Sequence, residues 1–190
     1  MKILERICSL FKKKSKVYDI SMYKAAGIIF TDGKHILAGY QPNKPKPFLS
    51  GIGGMKEKGE EYLDTAIRET LEELFEFEYI PFELIHEIKN TITPVKYIQN
   101  KIYISVVYTF DDLYEILNIL PRYDLNSYLY ETIPKTVLEL IFRRKTSVVG
   151  KNPEVSDLTL LTVLTVLKHD PKNPFVDPNF IEDMNLLMDS

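Results

Sequence analysis

Residues 51–78 read GIGGMKEKGEEYLDTAIRETLEELFEFE and place three glycines within four positions ahead of a dense group of carboxylates. Four of the carboxylates have i, i+3, i+4 and i+7 spacing and share one face of an α-helix: Glu69, Glu72, Glu73 and Glu76. Apolar residues on another face predict that this helix, over residues 60–74, packs against a sheet. Repulsion costs about a few tenths of a kcal/mol per carboxylate pair. Either solvent and nearby basic side chains relieve it, or a hard divalent cation such as Mg²⁺ or Mn²⁺ does.

Composition limits the classes of protein to consider. The 190 residues suffice for one sizeable domain, alone or with an extension. A net charge of −3 argues against a broad nucleic-acid-binding surface, although it leaves room for a local basic groove. The single cysteine, Cys8, excludes an intramolecular disulfide and favours a reducing, cytoplasmic setting. No stretch has the pattern of a secretory signal or is long enough to span a membrane, including the apolar run 158–167.

The hydrophobic pattern predicts the order of the elements. Two β-rich runs in residues 23–41 flank Asp32-Gly33 and predict a hairpin. Residues 79–110 are predicted to form strands. Helices are then expected at about 111–120, 133–144, 155–169 and 178–188. The helix at 155–169 is predicted to be buried, with a homodimer interface as the alternative. Residues 1–19 form a leader or short helix, either packed on the domain or touching a membrane or partner.

The residues around the carboxylates match a longer pattern, G-x5-E-x7-R-E-U-x-E-E-x-G-U, in which U is a bulky aliphatic residue. Its six matched positions would coincide by chance with odds on the order of 10⁻⁵, and they are Gly54, Glu60, Arg68, Glu69, Glu72 and Glu73. This pattern resembles the signature of the Nudix hydrolases, and the flanking elements are similar to that family over about residues 20–145. The resemblance implies an α/β/α sandwich with a mixed sheet, as one domain over residues 20–190 whose C-terminal helical extension is about 146–190.

Three positions depart from the family pattern. Thr70 replaces an aliphatic residue, Phe75 a glycine and Glu76 an aliphatic residue. Glycine after a helix commonly adopts the left-handed conformation, which costs other residues about 1–2 kcal/mol. We therefore expect the helix to continue through Phe75 and to bury its ring.

The resemblance implies a Mg²⁺- or Mn²⁺-dependent hydrolase of a nucleoside diphosphate linked to a group X. Its pattern assigns the metal ligands to Glu69, Glu72, Glu73 and the backbone carbonyl of Gly53. Glu69, Glu72 and Arg68 are the expected catalytic residues, with Arg68 orienting the glutamates. Glu69 is a candidate general base and Glu115 a weaker one. The structural residues of the motif are Gly54 and Glu60, the latter anchoring the loop or the helix start.

The substrate is left open by the motif. Lys44 and Lys56 are candidates for phosphate contact. Four aromatic residues are candidates for stacking on a base or for packing, namely Tyr23, Tyr40, Phe48 and Tyr103. The motif region is also similar to Nudix proteins of large DNA viruses. That resemblance implies capped RNA as an alternative substrate and the host cytoplasm as the location. A catalytically silent Nudix-fold binding module is a further alternative, although all three metal glutamates are present.

Overall fold

The computed structural model describes residues 22–46, 48–146, 153–169 and 175–189. Its strands are β1 (Ala25–Phe30), β2 (His35–Gln41), β3 (Phe48–Ser50), β4 (Ile52–Met55), β5 (Lys96–Asn100), β6 (Tyr103–Tyr108) and β7 (Asp157–Thr162). Its α-helices are α1 (Tyr62–Phe75), α2 (Phe82–Thr91), α3 (Phe110–Ile119), α4 (Val137–Phe142), α5 (Val163–Leu167) and α6 (Pro178–Asp189). No helix in these ranges is long and apolar enough to cross a membrane.

The described strands form two sheets. The first has the order β4-β1-β6-β5; β1 and β6 run parallel and the other neighbours run antiparallel. The second is antiparallel, with the order β3-β2-β7. Because successive side chains of a strand point to opposite faces, Ile28 and Phe30 of β1 join a core with helices α1 to α3, whereas Ile29 joins a second core with α5 and α6. The predicted α/β/α sandwich with a mixed sheet is therefore confirmed.

Helix α1 forms where its sequence predicts it. The backbone N–H of Glu61 donates to Asp64 at 3.0 Å and so satisfies one polar group at the start of the helix. Ile67, Leu71 and Leu74 are buried on the predicted apolar face. The helix includes Phe75, whose buried ring stacks on that of Phe77 with centroids 5.0 Å apart. The left-handed conformation falls one residue later, at Glu76 (φ 44°). The expectation that the helix continues through Phe75 is confirmed.

The secondary structure of two segments differs from the prediction. The prediction of a helix at 155–169 is wrong, because residues 157–162 form β7 and only Val163–Leu167 are helical. Residues 157–162 form backbone hydrogen bonds with the side of β2 that β3 does not occupy, and this sheet pairing outweighs the helical pattern of their sequence. Residues 79–110 are strands only in part, because they include α2. Leu84, Ile85 and Ile88 bury one face of that helix at helical spacing.

Two further predictions need correction. The run 23–41 does turn at Asp32-Gly33, but β1 and β2 then diverge into different sheets and share only the bridge between Thr31 and Ile36. The helix predicted at 133–144 is shorter and covers only α4. The helices at 111–120 and 178–188 are confirmed by α3 and α6. The predicted leader, residues 1–19, lies outside the described residues.

Candidate functional site

A cavity of about 790 Å³ lies beside the glycine strand. Its lining includes Glu69 of α1, residues of the β5–β6 turn, residues at the start of α6, and Ser50, Gly51, Gly53, Gly54 and Met55. Other lining residues are Gln41 at the end of β2, Lys44 in the loop after β2 and Glu154 in the loop before β7. The cavity therefore combines Glu69 of the glutamate helix with residues far downstream in the sequence.

Arg68 contacts most of the charged side chains of the motif. Its guanidinium contacts three carboxylates, at 2.6 Å from Glu60, 3.0 Å from Glu69 and 2.7 Å from Glu72. It also donates to the carbonyl oxygen of Met55 at 2.8 Å. These contacts hold the buried guanidinium of Arg68 between strand β4 and the carboxylates of Glu69 and Glu72.

Glu60 joins the loop after β4 to α1. Its carboxylate accepts hydrogen bonds from the backbone N–H of Glu57 at 2.8 Å and from the Thr65 hydroxyl at 2.7 Å, in addition to the Arg68 contact. Burial alone would raise the pKa of Glu60, but these hydrogen bonds outweigh it and lower the pKa. Glu60 is therefore held ionised as a partner of Arg68.

Glu73 is the most buried of the motif glutamates, with 6% of its surface exposed. Its carboxylate accepts from the backbone N–H of Gly53 at 2.7 Å and from Gln41 Nε2 at 3.3 Å. Burial raises the pKa of Glu73 to about 8, and the Gly53 hydrogen bond offsets only part of that effect. Among the described residues no basic side chain forms an ion pair with it, so its ionised form is uncompensated.

Glycine is required at two positions of β4, because neighbouring atoms leave no room for a Cβ. Gly53 has φ 151°, and a Cβ there would lie 2.6 Å from the carbonyl oxygen of Ala26. A Cβ on Gly54 would lie 2.5 Å from the Cδ atom of Glu69. The sequence pattern thus keeps side chains away from the place where strand β4 and the glutamate helix meet.

The carboxylates of Glu69, Glu72 and Glu73 are oxygen ligands of the kind that a hard divalent cation prefers. Burial raises the pKa of Glu69 and of Glu72, although the charge of Arg68 lowers both. Burial thus favours the protonated form of all three carboxylates. A bound divalent cation would instead stabilise their ionised form. Their oxygens do not converge in this structure, since Glu69 and Glu72 face Arg68 while Glu73 faces Gly53. Accordingly, no described cluster of three or more metal-ligating side chains is arranged around a single point.

The predicted substrate residues have different positions. Lys44 lines the cavity and its Nζ lies 2.8 Å from Glu154. Lys56 instead lies over the ring of Tyr23, with Nζ 4.2 Å from the centroid, and is not among the lining residues. Of the four aromatic candidates, Phe48 and Tyr103 line the cavity, whereas Tyr23 and Tyr40 do not.

Glu115, the second candidate base, is on an exposed position of α3 and does not line the cavity. Sequence reasoning missed Gln41 and Glu154. Glu154 lies 110 residues from its partner Lys44, so no local pattern could reveal it.

Comparisons with known proteins point in the same direction. The sequence profile of the NUDIX domain matches residues 23–125, more than half of the chain. No curated protein matches the sequence. Similar solved structures include the E. coli ORF135 protein, with 15% identity, coverage of 88% of this chain and 91% of that one, and a TM-score of 0.43.

Two others have the same low level of similarity. A bifunctional NMN adenylyltransferase/ADP ribose pyrophosphatase from Francisella tularensis is 15% identical, with coverage of 100% of this chain but only 46% of that one and a TM-score of 0.46. A NUDIX family hydrolase from Clostridium perfringens is 17% identical, with coverage of 87% and 98% and a TM-score of 0.36. The domain match carries the assignment, because it includes every residue of the glutamate motif. The chain therefore belongs to the Nudix hydrolase family.

Proposed function

We propose that the protein hydrolyses the diphosphate linkage of a nucleoside diphosphate-X substrate, with Mg²⁺ or Mn²⁺ as cofactor and with attack of water at phosphorus. The observation that carries the proposal is the uncompensated, buried carboxylate of Glu73 on the same helix as Glu69 and Glu72, next to the glycine strand that lines the cavity. A carboxylate in that position is costly unless a cation joins it.

The residues that would hold the cation are Glu69, Glu72, Glu73 and the backbone carbonyl of Gly53. When bound, a divalent cation neutralises phosphate oxygens and makes a bound water more acidic. Arg68 acts on the glutamates and not on the substrate: by pairing with Glu69 and Glu72 it limits the orientations that their side chains adopt. It is therefore proposed as a positioning group within the catalytic set.

Glu69 is the proposed acceptor of the proton from the attacking water. It lines the cavity, and burial raises its pKa, which makes the carboxylate a stronger base than an exposed glutamate. The cavity volume of about 790 Å³ is within the roughly 300–1,000 Å³ range of sites for small ligands. A nucleotide-sized substrate fits this volume.

A substrate panel tests the proposal. It contains nucleoside diphosphate sugars, dinucleoside polyphosphates, oxidised nucleoside triphosphates, diphosphoinositol phosphates and capped RNA, each assayed with Mg²⁺ and with a chelator. We expect cleavage of at least one small nucleotide, and none in chelator. Cleavage of capped RNA alone, with a steep dependence on salt, would replace the small-nucleotide proposal with mRNA decapping. Folded protein that cleaves no member would contradict hydrolysis itself.

Lys44 is the proposed phosphate contact, and the chain offers a matched control. Lys44→Ala is expected to raise KM roughly tenfold, the equivalent of about 1.4 kcal/mol, because the lost ammonium lines the cavity. Its exposed ion pair with Glu154 contributes less than about 1 kcal/mol to folding, so the melting temperature should change little. Lys56→Ala, which removes a lysine outside the lining, should leave KM unchanged. Equal effects of the two substitutions in steady-state kinetics would refute the assignment.

A further inference from the structure

Arg144 is a buried arginine outside the residues that match the family profile. Its guanidinium donates to the carbonyl oxygens of Glu73 at 2.7 Å and Leu74 at 2.6 Å, both in the last turn of α1. It also donates to the carbonyl oxygens of Val155 at 2.6 Å and Ser156 at 3.3 Å. One side chain thus bonds to the end of the glutamate helix and to the segment that leads into β7.

The last turn of α1 requires such donors. Carbonyl groups at the end of a helix lack partners within the helix, and a glycine in the left-handed conformation commonly lets the following backbone satisfy them. This chain has Phe75 at the glycine position of the family pattern. The carbonyls of Glu73 and Leu74 are bonded by Arg144 instead, while the N–H of Glu76 donates to Glu72 at 2.7 Å. Arg144 therefore does part of the capping that the family pattern assigns to local backbone.

The other two carbonyls bonded by Arg144 follow Glu154 directly. Glu154 lines the cavity and pairs with Lys44. Glu69 of α1 lines the same cavity as Glu154, so the segment that Arg144 bonds and the glutamate helix both contribute to it. The backbone of Glu73 and the backbone next to Glu154 are therefore both bonded to the same guanidinium.

We propose that Arg144 is a positioning residue for the reaction, because it fixes the carboxylate-bearing turn of α1 relative to the segment of Glu154, which lines the cavity. This inference rests on the proposed hydrolase function. A planar guanidinium has five N–H donors in a fixed arrangement and bonds several carbonyls at once, whereas the ammonium of lysine has three donors at one point. Lysine is consequently an incomplete substitute even though it keeps the charge.

The test compares Arg144→Lys with Arg143→Lys. Arg143 is the adjacent residue; it is partly exposed and pairs with Glu139 at 3.3 Å and with the Thr132 hydroxyl at 2.6 Å. The first measurement needs neither metal nor substrate: the NMR resonance of the Gly53 amide, whose N–H donates to Glu73 Oε2, reports the position of that carboxylate. We expect Arg144→Lys to shift this resonance and Arg143→Lys to leave it in place.

The second measurement is steady-state kinetics on the best substrate of the panel. We expect Arg144→Lys to lower kcat by roughly 10- to 100-fold, the range for residues that orient a catalytic group, with KM changed less than threefold. Tyr130→Phe removes a hydroxyl 3.3 Å from Arg144 Nη1 and should shift the same Gly53 resonance by less. This milder variant replaces Arg144→Lys in the test if Arg144→Lys does not fold.

Two results would overturn the inference. One is a folded Arg144→Lys protein with unchanged kcat and an unchanged Gly53 resonance; the other is a fall in kcat without any shift of that resonance. If Tyr130→Phe has to decide, an unmoved resonance overturns the inference. Failure of the wild-type protein to cleave any panel member would contradict the proposed hydrolase, and the Gly53 resonance would still show whether Arg144 sets the Glu73 carboxylate.

Discussion

Glu73→Gln is expected to lower kcat by on the order of 10²–10³-fold, the range typical of removing one group that stabilises developing charge. Glutamine keeps the size of the side chain and can still accept the hydrogen bond from the Gly53 N–H, so the fold should be retained. What it removes is the negative charge that would hold the cation. The measurement is steady-state hydrolysis with Mg²⁺, together with the melting temperature of each protein.

The same substitution is expected to increase stability when a chelator removes divalent cations. The folded pKa of Glu73, about 8, is above the ordinary glutamate pKa of 4.5. The folded state therefore holds its proton more tightly, and this contribution to stability is present below pH 4.5 and is lost as pH rises towards 8. The loss is about 1.4 kcal/mol for each pH unit in that window. Glu73→Gln lacks this loss and should unfold at a higher denaturant concentration at pH 7.

A matched control is Glu76→Gln, because Glu76 lies just past the end of α1 and is outside the proposed ligand set. It should leave kcat within about threefold of the wild type and should not remove the pH slope assigned to Glu73. Undiminished turnover of folded Glu73→Gln would exclude Glu73 as a metal ligand. An unchanged pH slope of its stability in chelator would exclude the buried, uncompensated charge.

Gly53→Ala is expected to lower the free energy of unfolding by about 3 kcal/mol or more. Its Cβ would meet the backbone of β1, including the carbonyl oxygen of Ala26 at 2.6 Å, and backbone cannot move aside as a flexible side chain can. The left-handed φ of 151° adds strain for a residue with a Cβ. Chemical denaturation monitored by circular dichroism measures the loss.

Gly59→Ala separates the two causes. Gly59 also has a positive φ, 94°, but a Cβ there would meet no atom within 4 Å. We expect this control to lose only the conformational part, about 1–2 kcal/mol. Equal destabilisation by the two substitutions would show that the approach of β4 to β1 is not as close as the structure has it.

The sequence predicts helix α1 well because its information is local. The spacing of Ile67, Leu71 and Leu74 determines which face is buried, and Phe75 in place of glycine moves the left-handed residue to Glu76. Strand β7 is not predictable in the same way, since its run of Thr and Leu is apolar enough for either structure. Its pairing with β2, more than 100 residues earlier, decides the outcome.

The residues of the candidate site also differ in whether local sequence could predict them. The motif brings together Glu60, Arg68, Glu69 and Glu72 because all are within one loop and one helix, and the structure places the three carboxylates in direct contact with Arg68. Arg144 bonds to a helix that ends 69 residues earlier, and its own neighbours in the sequence give no sign of that role. Residues that reach the site from elsewhere in the chain become visible only when the fold is known.

The most direct test of the central claim is hydrolysis of the best panel substrate in ¹⁸O-labelled water with Mg²⁺. Attack of water at phosphorus breaks a P–O–P bond and gives two phosphorylated products, one of which carries the label on its phosphate. We predict this result for the wild-type protein, and for Glu73→Gln the same labelled product formed on the order of 10²–10³-fold more slowly. Label found only on the carbon side of X would contradict attack at phosphorus. Release of an intact nucleoside diphosphate with free X would contradict cleavage of the P–O–P bond.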